Sequence, residues 1–584
     1  MDLEKTLDRK FRLQNRMNAY PRAPYLLGGA IALLMYLGIA WFFFPPEAVW
    51  SPDTGAKFLQ LRSLRWEDGR LAYDIRYPGR SIDPDLRFAT NNPQNGLLAI
   101  RGNKLHLQRL PIFPLLTWPW FHWLGFRGLY VLPAIGGAAS SVLALHLLEK
   151  RDRRFAMWVL IAFGSPLYIY STLFWEHTVA TGLVFLGAWL ALRAYSAPTF
   201  FRKVLNWAII GSILGISAYI RLETLIFAAA LLLALWIVSH EDRWGIICAG
   251  AVLGLVMLPY RSLHRIAFAG QEIPGHAEYL FYPFSYLTRA KWGAVPDLLI
   301  GPFTGISLNT DWLGILWAIA TVIVIAHSFG ADTSTKRIVR LVGLTISAIV
   351  GAIFLFTPVT YRAAHGLLFT TPWAILGLSR AYEVWQCGAR RARIVVLTGI
   401  IGLVGYSIGI VIFRGSSPHG GLEWGARFAM SFYPLWALTA VWDLGIKRKD
   451  IATYALMGAL IFLGLGFQIR GLRTIHYDRQ TNAALNQLLL ELPEQHLVSN
   501  LDWFHLNAAP IYDQKQVFIT NRPEDLKEWV ERAAAQHVDC FLFVTLNNAT
   551  LHEAAQIMET YRLEIAGQYK LENLYVFQTH IHTK

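Results

Sequence analysis

Around residue 51 the chain reads Ser51-Pro52-Asp53-Thr54-Gly55-Ala56-Lys57-Phe58. Ser51 fits a helix N-cap, Pro52 the first helical position, and Asp53 the first turn. If the helix continues, Lys57 lies four residues on, over the same face as Asp53. A carboxylate and an ammonium presented together suit a reaction in which a hydroxyl loses its proton beside a leaving phosphate. Asp53 would equally complement the helix dipole without chemistry. Other charged groups stand where charge is expensive. Glu176 and His177 occupy a very short turn between apolar runs, and Arg221 and Glu223 are flanked by two more. Ionisable residues so placed are usually paired or functional, although snorkelling to headgroups and a structural Arg–Glu pair are the plain alternatives. Arg362 and Arg427 are further phosphate candidates that would also serve to anchor helix ends. His106 and Arg109 follow a hairpin signal and could line an acceptor side.

The elements that position these residues are membrane spans. Of 584 residues only 16% are charged and 54% are hydrophobic, which excludes a disordered, collagenous or ordinary cytosolic protein. Twenty-two Trp and 24 Tyr suit a chain with two membrane interfaces to line. The three cysteines, Cys248, Cys387 and Cys540, are too far apart for a disulfide framework or a zinc site. Apolar runs of about 20 residues predict spans at 25–44, 127–148, 155–173, 176–195, 204–220, 222–239, 244–262, 311–328, 338–358, 364–381, 394–413, 428–445 and 451–470, thirteen in all. The first follows a tail, 1–24, with six basic residues and no convincing cleavage site, so it is predicted to be an uncleaved signal anchor.

Basic residues set the orientation. With the N-terminus cytoplasmic, the inner segments hold Lys150, Arg151, Arg153 and Arg154, then Arg390, Arg391 and Arg393, then Lys447, Arg448 and Lys449. The short outer loops hold few. Reading 204–239 as one broken helix would put the last clusters outside, so two spans are predicted there. The formal charge of +14 therefore belongs to membrane lipids, and no nucleic-acid partner is expected. Three large pieces fall outside: 45–126, 263–310 and everything after 471. Residues 471–584 read as a soluble extracytoplasmic α/β domain. Val517–Thr520 and Cys540–Thr545 resemble buried strands, Pro523 opens a helix through Gln536, and Leu571–Thr579 alternates like a strand. Deleting that domain is expected to change acceptor use more than donor binding. Gly102-Asn103, flanked by Leu98–Arg101 and Lys104–Gln108, is a two-residue hairpin signal. Asn548-Ala549-Thr550 is a glycosylation sequon, meaningful only in a eukaryotic lumen.

Four motifs in order at outer boundaries carry a resemblance. They are Asp53 with Lys57-Phe58, then Phe174-Trp175-Glu176-His177-Thr178, Tyr219-Ile220-Arg221-Leu222-Glu223, and Gly420-Gly421-Leu422-Glu423-Trp424-Gly425-Ala426-Arg427-Phe428. Over about residues 25–470 the chain resembles the GT-C membrane glycosyltransferases, which include the protein O-mannosyltransferases and the lipid A aminoarabinose transferases. The resemblance implies a GT-C transmembrane domain over 25–470, with 45–126 as its outer loop. It also implies an enzyme that moves a sugar, with inversion, from a polyprenyl-phosphate donor to an extracytoplasmic hydroxyl on a glycan, lipid or protein. Asp53 would be the general base and Lys57, Arg221, Arg427 and Arg362 would meet the donor phosphate. Glu176, His177, Glu223, Trp424, His106 and Arg109 would hold acceptor or sugar. The implied location is the inner cell membrane, with multiple passes and the C-terminal domain outside.

The sequence departs from several branches of the family, since Thr54 follows Asp53 where they carry a second acidic residue. With only Asp53 and Glu176 available as oxygen ligands, no divalent metal or other cofactor is expected. The competing function is a transporter or flippase of a lipid-linked saccharide. Transporters often show internal repeats and mid-membrane broken helices. No repeat is visible here, and the ionisable residues gather at the outer boundary.

Overall fold

The structure is a computed structural model that describes residues 23–90, 97–107, 109–147, 154–194, 199–260, 262–263, 311–328, 333–356, 366–414, 424–442, 451–546 and 563–581. Arg362, the Asn548 sequon, Gly420–Glu423 and nearly all of the outer piece 263–310 lie outside the described residues. The chain is a mostly helical, multi-pass membrane protein. Among the described residues seven helices are long and apolar enough to cross a membrane: Pro24–Phe43, Ile112–Leu145, His177–Ala194, Phe200–Ile220, Ser334–Phe356, Arg390–Gly409 and Tyr454–Glu491. Three shorter apolar helices are Thr224–Val238, Arg243–Met257 and Ile315–Ala326.

Where the predicted spans are interrupted, proline or charge is responsible. The 155–173 run is helical over Arg154–Ala162, breaks at Gly164-Ser165-Pro166, and resumes as Leu167–Tyr170. The 364–381 run divides into Leu367–Thr370 and Ala374–Gln386 around Pro372, which cannot donate to a helix ladder. Between 204 and 239 the chain forms two helices, parted where Arg221 adopts an extended backbone, φ −148°. The loop 45–126 contains the helix Ile112–Leu124. It opens the apolar Ile112–Leu145 stretch, continuing through the turn Gly125–Tyr130 into Val131–Leu145, and it exposes Trp118 and Trp123.

Within 45–126, β1 (Arg65–Glu67) pairs with β2 (Arg70–Ala72), and β3 (Leu98–Arg101) pairs antiparallel with β4 (Lys104–Leu107). The β3–β4 turn is the predicted one, with positive φ at both Gly102 (54°) and Asn103 (56°). The helix Ile451–Glu491 runs unbroken for 41 residues, past residue 470 and out to the C-terminal sheet. That sheet comprises β5 (His496–Ser499), β6 (Gln516–Ile519), β7 (Cys540–Leu546), β8 (Leu563–Leu571) and β9 (Leu574–Ile581), in the order β6-β5-β7-β9-β8. β6, β5 and β7 are parallel, and β9 and β8 join antiparallel. The helix Pro523–Ala535 crosses from β6 to β7 and buries Trp529 against Phe518 and Phe541. The single strand expected at 571–579 is instead the end of β8, a turn with Glu572 at φ 54°, and β9. The turn lacks the glycine that would have announced it.

The buried residues form two cores. One is the helical body. The other joins Phe58, Leu61, Leu98, Leu107 and Phe174 to Leu497, Phe518, Trp529 and Phe541, so the first outer loop and the C-terminal sheet share one interior.

Candidate active site

The helix Pro52–Ser63 begins as its sequence predicts. Ser51 is extended (φ −138°, ψ 157°) and its hydroxyl accepts the Thr54 N–H at 3.4 Å, while Pro52 occupies the first turn. The indole Nε1 of Trp175 donates to Thr54 Oγ1 at 2.6 Å, tying this helix end to the 174–177 turn. Asp53 and Lys57 therefore stand on a fixed face, and Lys57 is only 3% exposed.

Around them is a chain of charges drawn from four distant segments. Arg427 Nη1 lies 3.1 Å from Asp53 Oδ2. Arg109 bridges two carboxylates, 3.7 Å from Asp53 Oδ1 and 3.0 Å from Glu176 Oε1. Lys57 Nζ lies 2.5 Å from Glu176 Oε2, and Arg221 Nη1 lies 2.8 Å from Glu176 Oε1. Arg221 continues to Glu223 at 2.6 Å. Four fixed cations thus face three carboxylates. Aromatic faces complete their solvation: Lys57 and Arg427 lie 4.9 and 4.6 Å from the Trp175 ring centroid, and Arg221 lies 5.5 Å from that of Phe428.

Burial alone would raise the Asp53 pKa, but Arg109, Arg427 and Lys57 outweigh it and hold the carboxyl well below the usual carboxylate range. For Lys57 burial dominates in the opposite sense. Although Glu176 opposes it, the ammonium is brought down to about 8.

Two cavities meet at this network. The first is lined by Lys57, Arg109, Glu176, Arg221 and Glu223 on its polar side, and by Leu107, Leu110, Phe113, Pro114 and Ile220 on its apolar side. The second, about 490 Å³, lies between the N-terminus of the Pro52–Ser63 helix and the C-terminal sheet, with Asp53 in its wall. Asp53 therefore faces one cavity, Lys57 and Arg109 face the other, and Arg427, its nearest partner, lines neither.

No family model matches the chain, and no curated protein matches it. Among solved structures it aligns with that of ArnT from Cupriavidus metallidurans bound to undecaprenyl phosphate, at 11% identity and a TM-score of 0.42, over 96% of this chain and 98% of that one. It also aligns with the Archaeoglobus fulgidus oligosaccharyltransferase. The apo form gives 12% identity and a TM-score of 0.46, over 90% of this chain and 70% of that one. The complex with Zn and sulfate gives 13% and 0.47, over 94% and 72%.

Of the residues singled out in the sequence, Asp53, Lys57, Arg109, Glu176, Arg221, Glu223 and Arg427 come together, with Arg109 between Asp53 and Glu176. His177 adjoins the group, stacked 5.2 Å from Trp175 with Nε2 3.7 Å from Glu223. His106 stands beside Tyr73 on the β3–β4 hairpin and lines neither cavity. Trp424 is fully buried; its backbone N–H donates to the Tyr170 hydroxyl at 3.0 Å, and its ring packs against Gly471. It lines neither cavity. Sequence reasoning gave no role to Trp175, although it lies inside a quoted motif. It also passed over Gln60, which donates to the Arg109 carbonyl at 3.3 Å. The signal for Gln60 was available, since it falls three residues after Lys57 on the same helix face.

Proposed function

We propose that this chain is a GT-C type, integral-membrane, inverting glycosyltransferase that moves a sugar from a polyprenyl-phosphate donor to an extracytoplasmic hydroxyl. The supporting observation is the division of the site: an amphipathic cavity with fixed cations on one side of Asp53, and a separate cavity on the other. A polyprenyl phosphate pairs an anionic head with an apolar tail, which matches the cations and apolar wall of the first cavity. Nucleotide sugars are cytoplasmic, so a transferase facing outward needs a donor carried in the membrane. Sites aligned with helix ends at the outer boundary fit that geometry better than the mid-membrane sites of transporters.

In the reaction Asp53 takes the acceptor hydroxyl proton as the oxygen attacks the anomeric carbon from the face opposite the phosphate. A new C1–O bond forms, the C1–O–phosphate bond breaks with its electron pair going to the phosphate, and configuration inverts. Lys57, Arg109 and Arg221 stabilise the charge that develops on the leaving group. Without donor, the cations hold Asp53 at a pKa too low for an efficient base. A donor phosphate competes for those guanidinium groups and so frees Asp53 to accept a proton. The carboxylates are each engaged by Arg or Lys, which is an arrangement for binding anions and not divalent metals. Activity is accordingly expected to withstand chelator, and loss with chelator that Mg²⁺ or Mn²⁺ restores would contradict this.

The reading is tested with Asp53→Asn. General-base catalysis supplies about two to four decades of rate, so turnover should fall by that amount. Native mass spectrometry should still detect bound polyprenyl-phosphate sugar, now uncleaved. Turnover within threefold of wild type would remove Asp53 from the base role, and failure of both proteins to bind the lipid would remove the donor.

A further inference from the structure

The second cavity has a chemistry of its own. Its floor is the row Asp478, Thr481 and Asn482, spaced i, i+3, i+4 along the long helix Ile451–Glu491 and so on one face. Trp503 and Asn507, just beyond β5, form one wall; Leu546, at the end of β7, and Glu572, in the β8–β9 turn, form the others. From β5 the chain passes to β6 on one side, and from β7 it passes to β8 and β9 on the other. Crevices outside the carboxyl ends of parallel strands at such a reversal are where open α/β sheets bind ligands.

The lining is held ready for hydroxyls. Trp50 Nε1 donates to Asp478 at 3.1 Å, Thr481 donates to Glu572 at 3.0 Å, and Asn482 donates to the Val49 carbonyl at 2.9 Å. Asn507 is 8% exposed and adds an amide to this wall. The volume, about 490 Å³, falls within the roughly 300–1,000 Å³ of small-ligand sites. Among the described residues lining it are the carboxylates Asp53, Asp478 and Glu572, but no Lys, Arg or His. Of the site's cations, Lys57, Arg109 and Arg221 line the other cavity.

From this we infer that the crevice is the acceptor site, and that it takes a saccharide free of phosphate and carboxylate, neutral or amino-bearing. The inference rests on the transferase reading and adds the acceptor class to it. Carboxylates and amides supply paired acceptors and donors for vicinal hydroxyls, and Trp503 supplies a flat apolar surface for a ring. A phosphorylated or uronic acceptor would bring its charge against Asp478 and Glu572, which no cation among the described lining residues offsets, and such like-charge contact selects against it.

Saturation-transfer NMR on the full chain in nanodiscs tests this with three trisaccharides: maltotriose, glucosamine trimer and galacturonic acid trimer. The neutral and amino trimers should receive saturation and the uronic trimer little. Trp503→Ala should cut the neutral signal at least fivefold, and Glu572→Lys should turn the preference toward the uronic trimer. Equal saturation of the uronic and neutral trimers in the wild type overturns the charge argument, and none from any trimer overturns the saccharide class. Native mass spectrometry of the same sample separates the two readings. Bound polyprenyl phosphate without trisaccharide contact sinks this inference alone, whereas trisaccharide contact without lipid sinks the donor.

Discussion

Lys57 is the residue whose chemistry is most exposed to pH. Its ammonium is lowered from an ordinary lysine value to about 8, by burial first and against the pull of Glu176. The unfolded chain therefore holds this proton more tightly than the folded one between about pH 8 and the ordinary lysine range. Across that window rising pH favours the fold as far as this group is concerned. Function runs the other way: a neutral amine gives a phosphate no charge, so donor capture should fail as pH rises through about 8. The kcat/KM profile, which reports free-enzyme groups, should show a basic limb near 8. In Lys57→Arg that limb should move at least one pH unit upward, because guanidinium stays charged. A limb unmoved in the variant would assign it to another group. Arg427 belongs to the same argument. It is 2% exposed and pairs with Asp53 at 3.1 Å, so Arg427→Met leaves that partly buried carboxylate only the longer Arg109 contact at 3.7 Å. Breaking a buried pair typically costs about 3–5 kcal/mol, and the variant should show a lowered unfolding midpoint together with weakened donor binding.

The helix Pro52–Ser63 can be judged as an element by what it cannot tolerate. A Cβ on Gly55 would sit 1.8 Å from the Leu506 carbonyl oxygen, a backbone atom with no rotamer to escape into. The helix start thus lies directly on the Phe504–Asn507 turn. Gly55→Ala should push Asp53 and Lys57 away from Arg427 and Glu176. Misplacement by about 1 Å can cost on the order of a hundredfold in rate, so turnover should fall by about that factor with the protein still folded by circular dichroism. Unchanged turnover would mean that the two segments part easily. The elements also show what was readable beforehand. Ser51-Pro52-Asp53 and Gly102-Asn103 each carry their local reason within two or three residues, and both formed as expected. The 571–579 segment misled because Glu572 and Asn573 turn a hairpin without glycine. The Asp53–Arg427 pair spans 374 positions, and no local pattern encodes a contact of that separation. The sequence reading gives no helix face to the row at 478, 481 and 482, because the apolar run that marks the last span ends at 470 while the helix itself continues to Glu491.

At the scale of the whole molecule, the outer loop and the C-terminal sheet are one body, and this changes what truncation should do. From sequence alone, removing 471–584 should alter acceptor use and spare the donor. The structure argues otherwise. The long helix crosses residue 470 unbroken, the Ile519 N–H donates to the Phe88 carbonyl at 2.8 Å, and Arg87 and Arg532 pair across the junction with Glu528 and Asp85. Phe58, on the helix that carries Asp53 and Lys57, is buried in the same core as Trp529 and Phe541. Burying a side chain of that size contributes about 1.5–3 kcal/mol, and ending the chain at Glu491 would expose several at once. The truncated chain should therefore lose donor capture as well as transfer, seen as loss of the polyprenyl-phosphate adduct in native mass spectrometry. It should also lose protection from amide exchange over 52–63. Full donor binding with exchange unchanged would show that the Pro52–Ser63 helix is held by the membrane helices alone. Trp503→Ala then becomes the cleaner probe of the acceptor side, since it removes one wall of the crevice and touches only the edge of the shared core.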